Sequence, residues 1–328
     1  MRDWRYRFAE QRGTLLAVAI FLVMFVIYVS NHPAGFTANV VQTAANKGVI
    51  LAFVAMAQTF VVLTAGIDLS VGMIFILTNC LGSYIVTGSM GTAALGVIGV
   101  LVVGLVCGAL NGLIVIYGRL QPIVTTIATG SIYYGIALWL RPQPGSSDDF
   151  NSDIADFMTS QLPGGIPMSL VALFVIVLVV WLPFRRSEVG RAVYATGSSE
   201  VGAYMSGVPI RRAKFAAYTL SGLLSAVGGL YFTFITYSGV ASFADGGTYT
   251  LYSIAAVVLG GVSLFGGVGS AVGAIFGALA FRTIGDLIFV FDLEPLWQTL
   301  FQGIVLLLAV CIGSARLFQV RNRLELFT

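Results

Sequence analysis

The sequence predicts an all-α integral membrane protein with about ten transmembrane helices, and three observations predict it. The 328 residues are 58% hydrophobic and 9% charged, against roughly 25% charged in soluble domains, and no soluble fold of this size has the interior to bury so many apolar side chains. The apolar residues gather into runs near the length of about 20 residues that crosses a hydrocarbon core. The basic residues gather at alternate ends of those runs, as the positive-inside rule requires.

Ten segments satisfy the length and apolarity requirement: 13–31, 46–65, 68–88, 92–117, 122–140, 167–184, 214–238, 251–266, 268–290 and 296–315. The first follows a basic N-terminus (Arg2, Arg5, Arg7, Arg12) and lacks a small-residue cleavage site, so it reads as a retained span rather than a signal peptide. Parity checks the count. With the N-terminus in the cytoplasm, Arg119, the central loop and the tail (Arg316, Arg321, Arg323) fall inside too, and 14 of the 17 Lys and Arg residues are cytoplasmic. The 141–166 connection falls outside with Asp148, Asp149, Asp153 and Asp156, as do Asp245, Asp292 and Glu294. Nine or eleven spans would put the basic tail on the wrong side. His32 and Pro33 sit just beyond the first span as interface residues. Cys80, Cys107 and Cys311 lie in apolar runs without paired or metal-ligand spacing and read as small hydrophobes.

A short internal match suggests how the spans are grouped. Val103 to Leu110 and Val272 to Leu279 share the pattern VGxxxGAL, in the fourth and ninth spans, which cross in opposite directions. Two five-helix halves in inverted repeat would produce it; so would the small-xxx-small packing common to membrane helices.

The apolar runs stop at Phe184, and a polar stretch with six Lys and Arg residues extends from Arg185 to Lys214. It is too long for a turn and too small for a catalytic domain, so it reads as a surface gripped by a cytoplasmic partner. Within it, Ser198 to Ser206 has the composition of a short helix lying on the membrane surface, ended by Gly207 and Pro209. The other informative string is Gly66-Ile67-Asp68-Leu69-Ser70-Val71-Gly72, placed at the cytoplasmic side between the second and third spans. An acidic residue between two apolar runs needs a polar niche or a function. Asp68 and Ser70 are expected either to cap the third helix or to serve transport directly.

Three strings occur in order along the chain. They are GIDLSVG, the loop segment Gly190-Arg191-Ala192-Val193-Tyr194-Ala195-Thr196-Gly197 with its continuation to Ser206-Gly207-Val208, and the run AAVVLGGVSLFGG (255–267). Over about residues 40–315 the chain closely resembles the permease subunits of ribose-type bacterial sugar ABC importers, in the carbohydrate-uptake and branched-chain-permease superfamily. The resemblance implies a type II importer fold in one permease domain over 1–328, with a cytoplasmic coupling loop at 185–213 and a periplasmic loop at 141–166. It implies a subunit of the bacterial inner membrane, both termini cytoplasmic, that moves a monosaccharide inward. The implied partners are a cytoplasmic ATPase that binds ATP and Mg, a periplasmic sugar-binding protein, and a second permease, identical or homologous. The chain itself has no Walker A string, so no cofactor is expected in it and it is not expected to be an enzyme. In such permeases the segment matching 198–206 is the helix that sits in the ATPase. Carried over, Glu200, Ala203, Tyr204 and Ser206 are the expected contacts; Arg191 and Tyr194 brace the loop, and Gly197 and Gly207 shape it. One departure stands out: where the family carries a Gly-Tyr-Glu-Leu-Asp-like stretch, this chain has Thr248-Tyr249-Thr250-Leu251-Tyr252, expected at the periplasmic face.

The pathway is read from polar residues inside spans: Gln58, Asp68, Ser70, Asn79, Asn111, Tyr133, Tyr134, Arg282, Gln298 and Gln302. Each also has a reading as an interhelical hydrogen bond. Arg282 lies four residues before Asp286, a spacing that allows an ion pair on one helix face. Rival readings are a branched-chain amino-acid permease and an ion-gradient transporter, the latter disfavoured by acidic residues confined to span ends and loops. An intramembrane enzyme would need HExxH or GxSxG, and neither is present. Nothing in the composition points to nucleic acid or to a metal.

Overall fold

The computed structural model describes residues 3–308 and residue 311; Arg2 and the basic residues of the tail lie outside them. Five helices form the first part of the chain: α1 (Asp3–Asn31), α2 (Ala38–Val62), α3 (Val71–Ile85), α4 (Met90–Tyr117) and α5 (Pro122–Leu140). A small extramembrane insert follows, comprising α6 (Ser152–Thr159) and an antiparallel hairpin of β1 (Gln161–Leu162) and β2 (Ile166–Pro167). Next, α7 (Met168–Ile176) passes through a π turn (Val177–Trp181) into α8 (Leu182–Arg186), and the short helices α9 (Glu188–Ser198) and α10 (Glu200–Met205) come after it. The chain then runs through α11 (Ile210–Thr236), α12 (Phe243–Leu259), α13 (Ala271–Val290) and α14 (Leu296–Leu308).

Local chemistry sets these boundaries. Thr37, Ser89, Asn151, Ser242 and Ser270 each precede a helix and accept from a backbone N–H in its first turn, meeting part of the donor deficit of a helix start. Pro122 opens α5, where its missing N–H costs nothing. Pro183 deprives the preceding turn of a donor; the helix passes it through the π turn, where the Leu182 N–H bonds back to Val177.

Each of the ten apolar sequence segments falls on a helix, and seven helices among the described residues have the length and apolarity to cross a membrane. Boundaries differ where glycine or polar residues intervene. The third helix starts at Val71 rather than residue 68, because Gly66 to Ser70 lies outside any helix. The eighth starts at Phe243, where Ser242 caps it, and stops at Leu259 before a glycine-rich loop over 260–269. The 141–166 connection is more ordered than a bare loop, holding α6 and most of the hairpin. There the Tyr237 phenol donates to the Asp156 carboxylate.

α2 lies at the centre, with almost every residue from Val49 to Leu63 fully buried. It packs on α11, α12 and α13, while α11 packs on α2, α3 and α4. Exchanging the two halves maps two of the main helix pairs onto one another, α4 against α11 answering to α13 against α2 and α3 against α11 to α12 against α2; among the described residues, α1 against α13 has no counterpart between α7–α8 and α4. The VGxxxGAL glycines themselves do not occupy equivalent contacts. A Cβ on Gly108 would lie 2.2 Å from the Tyr218 carbonyl of α11, whereas one on Gly277 would lie 2.1 Å from the Ala256 carbonyl of α12. Both strings let backbones touch, but against different partners.

Candidate functional site

Two assemblies gather the polar residues of interest. The first is a platform built by α9 and α10. Ser187 caps α9 by accepting from the Gly190 N–H at 3.0 Å, and Ser199 caps α10 by accepting from the Gly202 N–H at 3.1 Å. Gly207 then ends α10 in the left-handed region (φ 73°), and the Val208 N–H donates to the Ala203 carbonyl. The platform is braced from below. Tyr194 donates to the Gly269 carbonyl at 2.7 Å, the Arg191 guanidinium to the Arg186 carbonyl at 2.9 Å, and the Gly267 N–H to the Leu63 carbonyl at 3.1 Å. Gly197 fills the junction so completely that a Cβ there would stand 1.9 Å from the Leu63 carbonyl oxygen and 2.4 Å from the Gly267 nitrogen.

On the outer side, Val201, Tyr204 and Met205 are 72%, 77% and 82% exposed. Their i, i+3, i+4 spacing places them on one face of α10, an apolar and aromatic surface to which the described residues offer no cover. Glu200 is held by Lys214 at 2.7 Å, which ties α10 to the first turns of α11. Ser206 is exposed at the end of α10. Ala203, expected at the contact surface, instead turns inward and is 6% exposed. Val201 and Met205 are exposed in its stead beside Tyr204, a face that the i, i+3, i+4 spacing makes readable in the sequence.

The second assembly is a buried polar seam around GIDLSVG. Ala65, in the left-handed region (φ 61°), turns the chain out of α2, and Gly66 to Ser70 runs into the bundle rather than along its end. There Asp68 is fully buried. Its Oδ1 accepts from the Ser70 N–H at 2.9 Å and the Ser70 hydroxyl at 2.6 Å, and its Oδ2 from Ser221 of α11 at 3.2 Å. Asn111 of α4 donates to Ser70 Oγ at 2.7 Å and its Oδ1 accepts from Tyr133 of α5 at 3.0 Å. Thr126 accepts from the Leu69 N–H at 2.9 Å. Four of the predicted pathway residues, Asp68, Ser70, Asn111 and Tyr133, are thus joined in one network. Sequence reading missed Ser221 and Thr126, whose hydroxyls look like ordinary small-residue packing. The capping expectation holds for Asp68, which accepts the Ser70 N–H. It fails for Ser70, whose side chain makes no cap bond to α3 and donates to Asp68 instead.

The departure at Thr248–Tyr252 falls beside this seam. The stretch lies within α12, and Thr250 is buried with its hydroxyl oxygen 3.1 Å from the Gly72 N–H. A Cβ on Gly72 would stand 1.9 Å from the Gly246 carbonyl, so no larger residue fits where α3 meets α12. The expectation that this stretch faces the periplasm is therefore corrected for Thr250: its place is inside the helix packing, where its hydroxyl satisfies the start of α3.

The remaining candidates do not converge with it. Asn79 bridges α3 to α11 and the following turn through Thr233, the Ser238 carbonyl and the Val240 N–H. Tyr134 packs edge-on against Phe243. Gln302 accepts from Tyr252, and Gln298 lies over Gly285. Gln58 is fully buried in α2 with both amide atoms unpartnered. Arg282 forms no salt bridge with Asp286; the one ion pair among the described residues is Lys214 with Glu200. The i, i+4 spacing permitted the pair, but the partly buried guanidinium settles beyond pairing distance.

These features define a multi-pass membrane protein whose apolar helices enclose a buried polar seam and carry a braced two-helix platform at the surface, the architecture of a transport permease. The chain belongs to the family described as branched-chain amino acid transport system / permease component, whose model matches residues 40–310. It is 31% identical to a ribose import permease protein of Haemophilus influenzae over 92% of both chains. It is 28% identical to a D-allose transport system permease protein of Escherichia coli over 93% of this chain and 92% of that one. It is 34% identical to a fructose import permease protein of Rhizobium meliloti over 81% of this chain and 75% of that one. No solved structure matches the chain.

Proposed function

We propose that this chain is the permease subunit of an ATP-driven importer that passes a monosaccharide, delivered by a binding protein, into the cytoplasm. The observation that carries the ATP-driven part is the braced α10, whose Val201, Tyr204 and Met205 face outward. A small rigid helix with three exposed apolar side chains on one face is built to be gripped. A separate ATPase holding ATP and Mg is its partner, with a second permease beside it. Sugar is favoured over branched-chain amino acids, despite the wording of the family's description, because the relatives that align over most of the chain are named for ribose, allose and fructose. The expected site is the bacterial inner membrane, in one permease domain crossing it ten times.

The test places charge on the outward face. Tyr204→Asp with Met205→Asp should leave the permease folded and inserted, because neither side chain packs inward, yet cut ATP-driven uptake at least tenfold and release the ATPase from the purified complex. Normal uptake with a normally bound ATPase would refute the platform.

Topology has its own check. In a chain freed of Cys80, Cys107 and Cys311, a cysteine placed within 148–156 should react with an impermeant thiol reagent added outside the cell. One within 198–202 should react only after the membrane is opened. The reverse pattern would overturn the ten-span arrangement with cytoplasmic termini.

A further inference from the structure

We propose that the cleft between α8 and α11 is a seat for one anionic phospholipid. A cleft of about 560 Å³ opens on the outside of the bundle there. One wall is Val179, Val180, Pro183 and Phe184, and the other is Phe215 and Leu220. The two hydroxyls at its edge are turned to backbone: Ser187 donates to the Phe184 carbonyl at 2.7 Å and Thr219 to the Phe215 carbonyl at 2.8 Å. The surface offered is therefore apolar. It lies beside the π turn that carries the helix past Pro183.

The charges at one end say what fills it. Arg185 and Arg186 close α8, and Arg186 stands one turn beyond Pro183. Arg212 stands one turn before Phe215 and Ala216 on α11, so both helices bring a guanidinium to the same end of the cleft. All three arginines are exposed, and none is in an ion pair among the described residues. Glu188 is exposed nearby without pairing to them, and Glu200 is engaged by Lys214. Arg211 points away, over the Tyr117 ring. Apolar walls ending in unpaired guanidinium groups at the level where helices leave the membrane match acyl chains joined to a phosphate, and arginine suits phosphate by its planar fork of donors.

The experiment uses the full-length permease in detergent, mixed with dioleoyl-phosphatidylglycerol or dioleoyl-phosphatidylcholine, with bound lipid counted by native mass spectrometry. The unaltered protein should retain phosphatidylglycerol at least fivefold over phosphatidylcholine. R186Q with R212Q should abolish the preference, and R186K with R212K should keep most of it. Equal retention of the two lipids, or a preference untouched by the glutamine pair, would overturn the proposal. So would a disulfide between two copies carrying T219C, which would show another permease in the cleft. Should the glutamine pair prove unstable, brominated lipids supply a second reading on the native arginines. Trp181 adjoins Val180, and with Trp4, Trp139 and Trp297 changed to Phe its fluorescence should be quenched more by brominated phosphatidylglycerol than by brominated phosphatidylcholine. Equal quenching would count against the seat.

Discussion

Gly197→Val should abolish transport and leave little folded permease, and Gly197→Ala should already lose most of it. The smallest possible side chain would place its Cβ 1.9 Å from the Leu63 carbonyl oxygen and 2.4 Å from the Gly267 nitrogen. Both are backbone atoms, joined to one another by the Gly267-to-Leu63 hydrogen bond, so no rotamer change relieves the clash. Overpacking a well-filled interior costs about 1–3 kcal/mol when side chains can yield, and more when they cannot. Removal of the platform from α2 and the 263–269 loop is the expected escape. The measurement is the yield of monodisperse protein together with uptake in cells. Normal yield with normal uptake in the alanine variant would show that the junction is looser than described. Gly202→Ala is the control, since its Cβ would meet only the Ser199 side chain at 3.2 Å.

Asp68→Leu should be the most damaging change within the membrane core. It strips the acceptor from the Ser70 N–H, the Ser70 hydroxyl and the Ser221 hydroxyl at once, leaving buried donors that cost about 1–3 kcal/mol each when unsatisfied. Asp68→Asn preserves the shape and one acceptor oxygen, so the bonds from Ser70 can survive while the one from Ser221 is at risk. Ser221→Ala removes a single donor and should be milder still. The order of severity, leucine far beyond asparagine and asparagine beyond Ser221→Ala, is read from thermal stability and surviving uptake. Equal effects would mean that the seam does not act as a connected unit. A fully active leucine variant would mean that it contributes nothing.

Asp68, Asn111 and Tyr133 were legible as individuals because each interrupts an apolar run, where a polar atom is costly and therefore informative. Their connection was not legible. Ser70 and Asn111 are 41 residues apart and Asp68 and Ser221 are 153 apart, distances over which no periodicity carries a signal. Ser221 and Thr126 escaped notice because small hydroxyl residues are common in membrane helices for packing alone. The platform residues were legible through their string and turn chemistry, yet burial sorted them differently: the sequence offers Ala203, Tyr204 and Met205 as neighbours without saying which of them turns inward. Arg282 shows the opposite limit. Its spacing to Asp286 was readable, but spacing fixes only which residues share a helix face, not where two long side chains settle on it.

The backbone contact between α4 and α11 has a mechanical consequence. At Gly104, Gly108 and Gly222 the two helices approach so closely that a Cβ would strike main-chain atoms of the opposite helix at 2.2 to 2.7 Å, which leaves no compliant layer of side chains between them. Such a pair cannot shear by small rotamer adjustments; it moves as a single shaft. Because α10 leads into α11 across only a few residues and is pinned to it by the Glu200–Lys214 pair, a displacement of α10 acts at one end of that shaft. The far end of α4 must answer it, while the glycine-rich 260–269 loop, with Gly261, Gly266, Gly267 and Gly269 all at positive φ, holds Leu63 and Tyr194 through Gly267 and Gly269 and ties the platform to the end of α2.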